Sequence, residues 1–162
     1  MLKNVLSHET CAGCRICCSF VKEDAWEAPV FNEEDMKKIL ALGVDGSRFL
    51  EKEELGRKTY TANYNFETDS QILLCPCLDE KKGCMLGEDK PFECSIWPVR
   101  IFENEDGAYL GVAAACPAFE GKKIEKLLHE LKENGLEEKI LAMKSRQNSE
   151  KREEKGYIII GR

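Results

Sequence analysis

Histidine is almost missing from this chain: only His8 and His129 occur among 162 residues. Ordinary hydrolytic acid–base chemistry would then fall to carboxylates that no local pattern singles out. His129-Glu130 is followed by Glu133 where a zincin helix would place a second histidine, so HExxH is absent. A glycine-rich phosphate loop, a GxSxG elbow and a Ser-His-Asp order are absent too. Apolar runs are short, the longest being Gly111 to Cys116 and Tyr157 to Ile160, against the roughly 20 residues needed to cross a bilayer. No membrane partner is expected. The first ten residues lack the basic start and apolar stretch of a secretory signal, which predicts a cytoplasmic protein. A basic stripe is also lacking. Formal net charge is −6 with both signs interleaved, and Lys144 to Lys155 carries Glu150, Glu153 and Glu154 among its bases. That balance excludes a phosphate-tracking surface, so no nucleic-acid partner is expected. Internal repeats and low-complexity tracts are missing as well.

What the chain has in excess is cysteine, nine in all, several times ordinary usage. In a reducing compartment thiols persist, and such a pattern reads as metal-binding or catalytic before it reads as a disulfide framework. The odd count argues against full pairing. Two groups stand apart in sequence: Cys11, Cys14, Cys17 and Cys18, then Cys75, Cys77, Cys84, Cys94 and Cys116. Thiolates are soft ligands, and all-sulfur sets point to zinc or iron-sulfur clusters while excluding calcium and magnesium. Three cysteines at two-residue gaps, as in Cys11, Cys14 and Cys17, is the arrangement that wraps one corner of an iron-sulfur cubane. The ferredoxin pattern is incomplete, because the Cys-Pro pairs, Cys75-Pro76 and Cys116-Pro117, lie far downstream. Adjacent side chains on an extended backbone point apart, so Cys17 and Cys18 are expected to serve different metal ions or different corners of a larger assembly. Cys11-x-x-Cys14 lacks the strand-to-helix setting of a thioredoxin motif.

A helix is predicted from Asn32, an N-cap with Asp35 three positions on and Phe31 placed to staple onto Met36. Met36, Ile39 and Leu40 share its apolar face and Gly43 ends it. A shorter helix is expected around Ser47 to Glu53. Extended segments are predicted over Lys58 to Phe66, Gln71 to Leu74 and Ala108 to Ala115, with Cys75 to Pro98 mostly loop. Ile124, Leu127, Leu128 and Leu131 recur at helical spacing up to the stop at Asn134-Gly135. A further helix is expected from Leu136 to about Arg146, and Tyr157 to Ile160 reads as an edge strand or an apolar plug.

The run Cys11-x-x-Cys14-x-x-Cys17-Cys18, the segment Cys75-Pro-Cys-Leu78, Gly83-Cys84, Lys90-Pro91-x-x-Cys94-Ser-Ile-Trp97-Pro98 and Cys116-Pro117 together resemble the CxxCxxCC family, often called YkgJ-like and described as zinc- or iron-chelating domains. The resemblance covers about residues 8 to 121. Position 87 is glycine where the family commonly has an aromatic, and position 90 is lysine where it has arginine. The second change removes a planar fork while keeping the charge. Carried over residue by residue, the resemblance implies eight metal ligands: Cys11, Cys14, Cys17, Cys18, Cys75, Cys84, Cys94 and Cys116. Cys77 stands where the family has an apolar residue and is assigned to packing. His8, three residues before Cys11, is a further ligand or outer-sphere candidate, and His129 is assigned to the surface. The family is also similar to the cysteine-rich part of flagellin lysine methylases, for which an iron-sulfur cluster has been proposed.

These readings predict an α+β domain, α-rich and irregular, single and small, with loops organised around a cysteine-ligated metal centre. Residues 1–121 are expected to form the cysteine-cluster region and 122–162 a helical region packing on it. The expected cofactor is an iron-sulfur cluster of the 4Fe-4S type, one or two per chain, with zinc in two four-cysteine sites as the alternative. Arg15, Lys90 and Arg100 are expected to offset the charge of the thiolates. A redox, electron-transfer or modification role is expected with the cluster, and an interaction-module role with zinc; the redox or protein partner is not identified.

Overall fold

The computed structural model describes residues 13–54, 56–116, 122–133, 135–142 and 156–160. Cys11, His8 and most of the Lys144 to Lys155 tail lie outside the described residues. The chain divides into two compact units, one spanning Cys11–Cys94 and the other containing Ser95–Arg162.

In the first unit, β1 (Ser19–Phe20) pairs antiparallel with β5 (Leu73–Leu74), and β2 (Val30–Asn32), β4 (Arg57–Ala62) and β3 (Phe49–Glu54) form a three-stranded antiparallel sheet in the order β2-β4-β3. A small hairpin joins β6 (Leu78–Asp79) to β7 (Gly83–Cys84). Helix α1 (Glu33–Ala41) starts as its sequence dictates. The Asn32 side chain accepts from Glu34 N and Asp35 N at 2.8 and 2.9 Å, and Asp35 returns a bond to Asn32 N at 3.0 Å. Phe31, Met36 and Ile39 are buried together with Phe20, Val44 and Phe49, whereas Leu40, expected on the same face, is half exposed. The segment read as a helix around Ser47 to Glu53 is instead a single 3-10 turn, Gly46–Arg48, running into β3. Pairing with β4, including Glu51 with Lys58 at 2.8 Å, overrides the helical preference of a Leu-Glu-Lys-Glu-Glu run.

Helix α2 (Phe92–Ile96) straddles the unit boundary, and the buried carboxylate of Glu93 in it accepts from Val30 N at 3.1 Å. The second unit holds an antiparallel sheet of β8 (Val99–Asn104), β9 (Gly107–Ala113) and β10 (Tyr157–Ile160) in the order β10-β9-β8. Helices α3 (Lys122–Glu133) and α4 (Leu136–Ala142) pack on each other, and α4 packs on β9. Leu127, Leu131 and Ile140 are fully buried, as are Val99, Leu110 and Val112 on the strands.

Two parts of the expected fold class need correcting. The molecule is not α-rich: ten short strands in four small sheets share the described residues about evenly with helix. Strands β2, β3 and β8 and the β6–β7 hairpin had no clean alternation to announce them. Four consecutive residues of β8, from Val99 to Phe102, are buried, which erases the period of two. Nor are the loops organised around a metal centre: among the described residues no group of three or more His, Cys, Asp or Glu side chains stands in a metal-holding arrangement. The apolar core and small sheets organise the unit. Among the described residues no helix is long and apolar enough to cross a membrane.

Candidate functional site

Arg15 shapes the start of the cysteine-rich segment. Its backbone is left-handed, with φ 60° and ψ 0°, a conformation that costs an L side chain roughly 1–2 kcal/mol. Three bonds hold it. Its carbonyl accepts from Cys18 N at 2.9 Å and from Ser19 Oγ at 3.0 Å, and its guanidinium donates to the Glu80 carbonyl. Glu80 lies in the turn between β6 and β7, so Arg15 joins the first cysteine group to the hairpin that carries Cys84.

The chain then makes a 3-10 turn over Ile16–Cys18. An extended backbone would send the two adjacent thiols to opposite sides, as expected from the sequence. The tight turn instead brings Cys17 Sγ within 3.8 Å of Cys18 Sγ. This corrects the expectation that the pair points apart.

Strand β1 delivers the second group. Ser19 pairs with Leu74, and at the end of that ladder Cys75 N donates to Cys18 O at 2.8 Å. Leu78 N closes a turn onto Cys75 O at 3.0 Å, Met85 N donates to Cys77 O at 2.9 Å, and Leu78 pairs with Cys84 across the hairpin. Cys75 and Cys77 are buried, Cys77 to 1 % exposure. Cys18 and Cys84 are half-buried against the same core.

Burial and mutual proximity shift these thiols in one direction. The Cys18 thiol is pushed far up by its hydrogen bond with Cys17, by burial, and by the charges of Cys17, Cys75 and Cys84. Cys75 is pushed up by its bond with Cys77, by burial, and by Cys77 and Cys17. Burial raises Cys84 as well, with Cys75 and Cys17 adding, while a backbone bond from Leu86 and the nearby Lys90 ammonium pull the other way. A buried set of this kind cannot carry several thiolates unless positive charge enters with them.

Tyr64 covers the group. Its ring lies 5.2 Å from that of Phe20 and 5.8 Å from that of Phe66. Its hydroxyl is raised by burial and then by Cys75, Cys18, Cys77 and Cys94. The Tyr64 Oη is shielded from solvent and has no hydrogen-bond partner, as is true of Arg15 Nε. Sequence reading missed Tyr64, since an aromatic in a strand-like segment carries no sign of what it covers.

Of the eight cysteines implied as ligands, the structure brings Cys17, Cys18, Cys75 and Cys84 together, with Cys94 on α2 coupled to the same tyrosine. Cys77 joins them although it was assigned to packing. Cys14 is half-buried in the same segment. Cys116 is buried in the second unit, and Cys11 lies outside the described residues. Of the expected cations, Lys90 sits beside Cys84 and Arg15 is bound to Glu80. Arg100, in the second unit, is buried with its guanidinium 4.6 Å from the Trp97 ring centroid. His129 is exposed on α3. No family model matches the chain, and no curated protein and no solved structure matches it.

Proposed function

We propose that this chain binds metal through cysteine thiolates, holding an iron-sulfur cluster in a redox, electron-transfer or cluster-dependent modification role, as a cytoplasmic member of the CxxCxxCC family. The observation that supports this reading is the convergence of Cys17, Cys18, Cys75 and Cys84, drawn from distant parts of the sequence onto one core by the β1–β5 ladder and the β6–β7 hairpin. Soft sulfurs in partly shielded surroundings suit iron and zinc, and their mutual repulsion when ionised is what a bound cation offsets. Cys14, Cys17, Cys18, Cys75, Cys84 and Cys94 would hold the metal in this unit; of the other two ligands that the resemblance implies, Cys11 lies outside the described residues and Cys116 belongs to the second unit. A cluster so held supplies one-electron chemistry.

One distance favours a second reading. Two thiolates on one tetrahedral metal, each at about 2.3 Å, lie about 3.8 Å apart, and the Cys17 and Cys18 sulfurs are separated by 3.8 Å. That pair suits one ion held by both sulfurs, which favours zinc in two four-cysteine sites, where the protein would act as an interaction module.

Anaerobic purification followed by metal and sulfide analysis decides between them. The iron reading expects a brown protein with several irons and labile sulfide per chain. A colourless protein with stoichiometric zinc selects the second reading, and a protein free of both metals overturns the proposal.

A further inference from the structure

Cys17 and Cys18 are consecutive in the chain, and the 3-10 turn over Ile16–Cys18 holds their sulfurs 3.8 Å apart. Both residues are half-buried, next to the exposed Ile16, so small solutes reach them from water. Cys75 and Cys77 lie deeper, at 8 % and 1 % exposure. Oxidation of a thiol follows its access, so the surface pair is the one a small oxidant meets first. A disulfide needs sulfurs about 2.0 Å apart and Cα atoms usually about 4.4–6.8 Å apart. Consecutive Cα atoms stand only about 3.8 Å apart across a trans peptide. A bond between these two sulfurs is therefore strained by adjacency alone, and strained, accessible disulfides are the readily reduced, regulatory ones.

We infer that Cys17 and Cys18 form a reversible redox switch, closing to a vicinal disulfide when a hydroperoxide oxidises them and reopening when a dithiol reduces them. The inference concerns the thiols as they stand and does not rest on bound metal. In the first step one sulfur attacks the peroxide: the O–O bond breaks, an S–O bond forms, and an alcohol or water leaves with the thiol's proton. The neighbouring thiol then displaces the sulfenic hydroxyl, so an S–S bond forms and water departs. The thiols have lost two electrons and two protons, and the peroxide has taken them up. The product is an eight-membered ring that contains the Cys17–Cys18 peptide, and drawing the sulfurs from 3.8 Å to about 2.0 Å twists that peptide. Cys18 N lies in the ring, and in the thiol form it donates to Arg15 O at 2.9 Å across the turn. Cys18 O lies outside the ring and accepts from Cys75 N at 2.8 Å. Oxidation thus opens the turn that Arg15 starts and leaves the β1–β5 ladder closed.

The test uses the full chain, purified anaerobically, freed of any metal with a chelator and treated with hydrogen peroxide, after which the remaining thiols are alkylated. Trypsin cuts after Arg15 and Lys22, so the peptide 16–22 carries Cys17 and Cys18 and no other cysteine. This peptide is expected to be lighter by two hydrogens and to take up no alkyl group, and to take up two once dithiothreitol has been added. Amide hydrogen exchange should quicken at Cys18 and stay unchanged at Cys75, and Cys17→Ser should show no such quickening under the same treatment. Alkylation of both cysteines after peroxide overturns the inference, as does a sulfinic acid at either one or a disulfide from this peptide to another. A disulfide in place with unchanged exchange at Cys18, or equal quickening in Cys17→Ser, overturns it as a switch. Metal content of the chain before chelation tests the thiolate reading separately.

Discussion

The backbone N–H of Cys75 donates to the carbonyl of Cys18 at 2.8 Å, extending the two-residue ladder between β1 and β5 by one further bond. Through that contact the two cysteine groups, remote in sequence, become neighbours by main-chain hydrogen bonding. A thiol lost from either side should leave the ladder in place. Cys18→Ser and Cys75→Ser are therefore expected to lower bound metal by at least about tenfold with far-ultraviolet circular dichroism close to wild type. Metal analysis per folded chain checks this, and full metal content in both variants would sink the thiolate reading.

Cys77 separates packing from ligation. It is 1 % exposed inside the apolar core, so Cys77→Ala should cost about 1 kcal/mol through the lost sulfur volume while bound metal stays at the wild-type level. Urea unfolding measures the first and metal analysis the second. Loss of metal would move Cys77 into the ligand set, which the resemblance alone does not suggest.

Arg15 carries two opposed effects that a pair of substitutions resolves. Arg15→Ala loses the guanidinium bond to Glu80 and keeps a side chain at φ 60°. Arg15→Gly loses the same bond and relieves the left-handed backbone. The glycine variant should be the more stable of the two by about 1 kcal/mol, read as the difference in urea midpoints at equal slope. Equal stability would mean that the turn is not held left-handed in solution.

How much of this was legible beforehand depended on whether the signal was local. Asn32, Asp35 and Phe31 announce α1 because capping is a matter of three or four neighbouring residues, and Leu127 and Leu131 announce α3 by spacing alone. The segment around Ser47 to Glu53 is expected as helix because its residues favour helix when taken singly, and only β4, pairing Glu51 with Tyr60 and Lys52 with Thr59 in the strand Phe49–Glu54, decides otherwise. At the site, cysteine spacing points to sulfur chemistry, but the 3-10 turn at Ile16–Cys18, closed by Cys18 N on the carbonyl of a left-handed Arg15, is recorded by no motif. Tyr64 was invisible for the same reason.

In the second unit the close approach is at Gly111. A Cβ added there would lie 2.7 Å from Phe102 Cε2 and 3.3 Å from Tyr157 Cβ. Phe102 is itself fixed, stacked on Tyr109 at 5.8 Å and edge-on to Tyr157 at 5.1 Å. The ring cannot give way without disturbing both neighbours, so Gly111→Ala is expected to destabilise the β10-β9-β8 sheet by about 1–3 kcal/mol. Amide hydrogen exchange locates the effect: protection should fall in Val99–Asn104 and Gly107–Ala113 and stay unchanged in Glu33–Ala41, whose cap and core belong to the other unit. Uniform loss of protection across both units would show that the two unfold together.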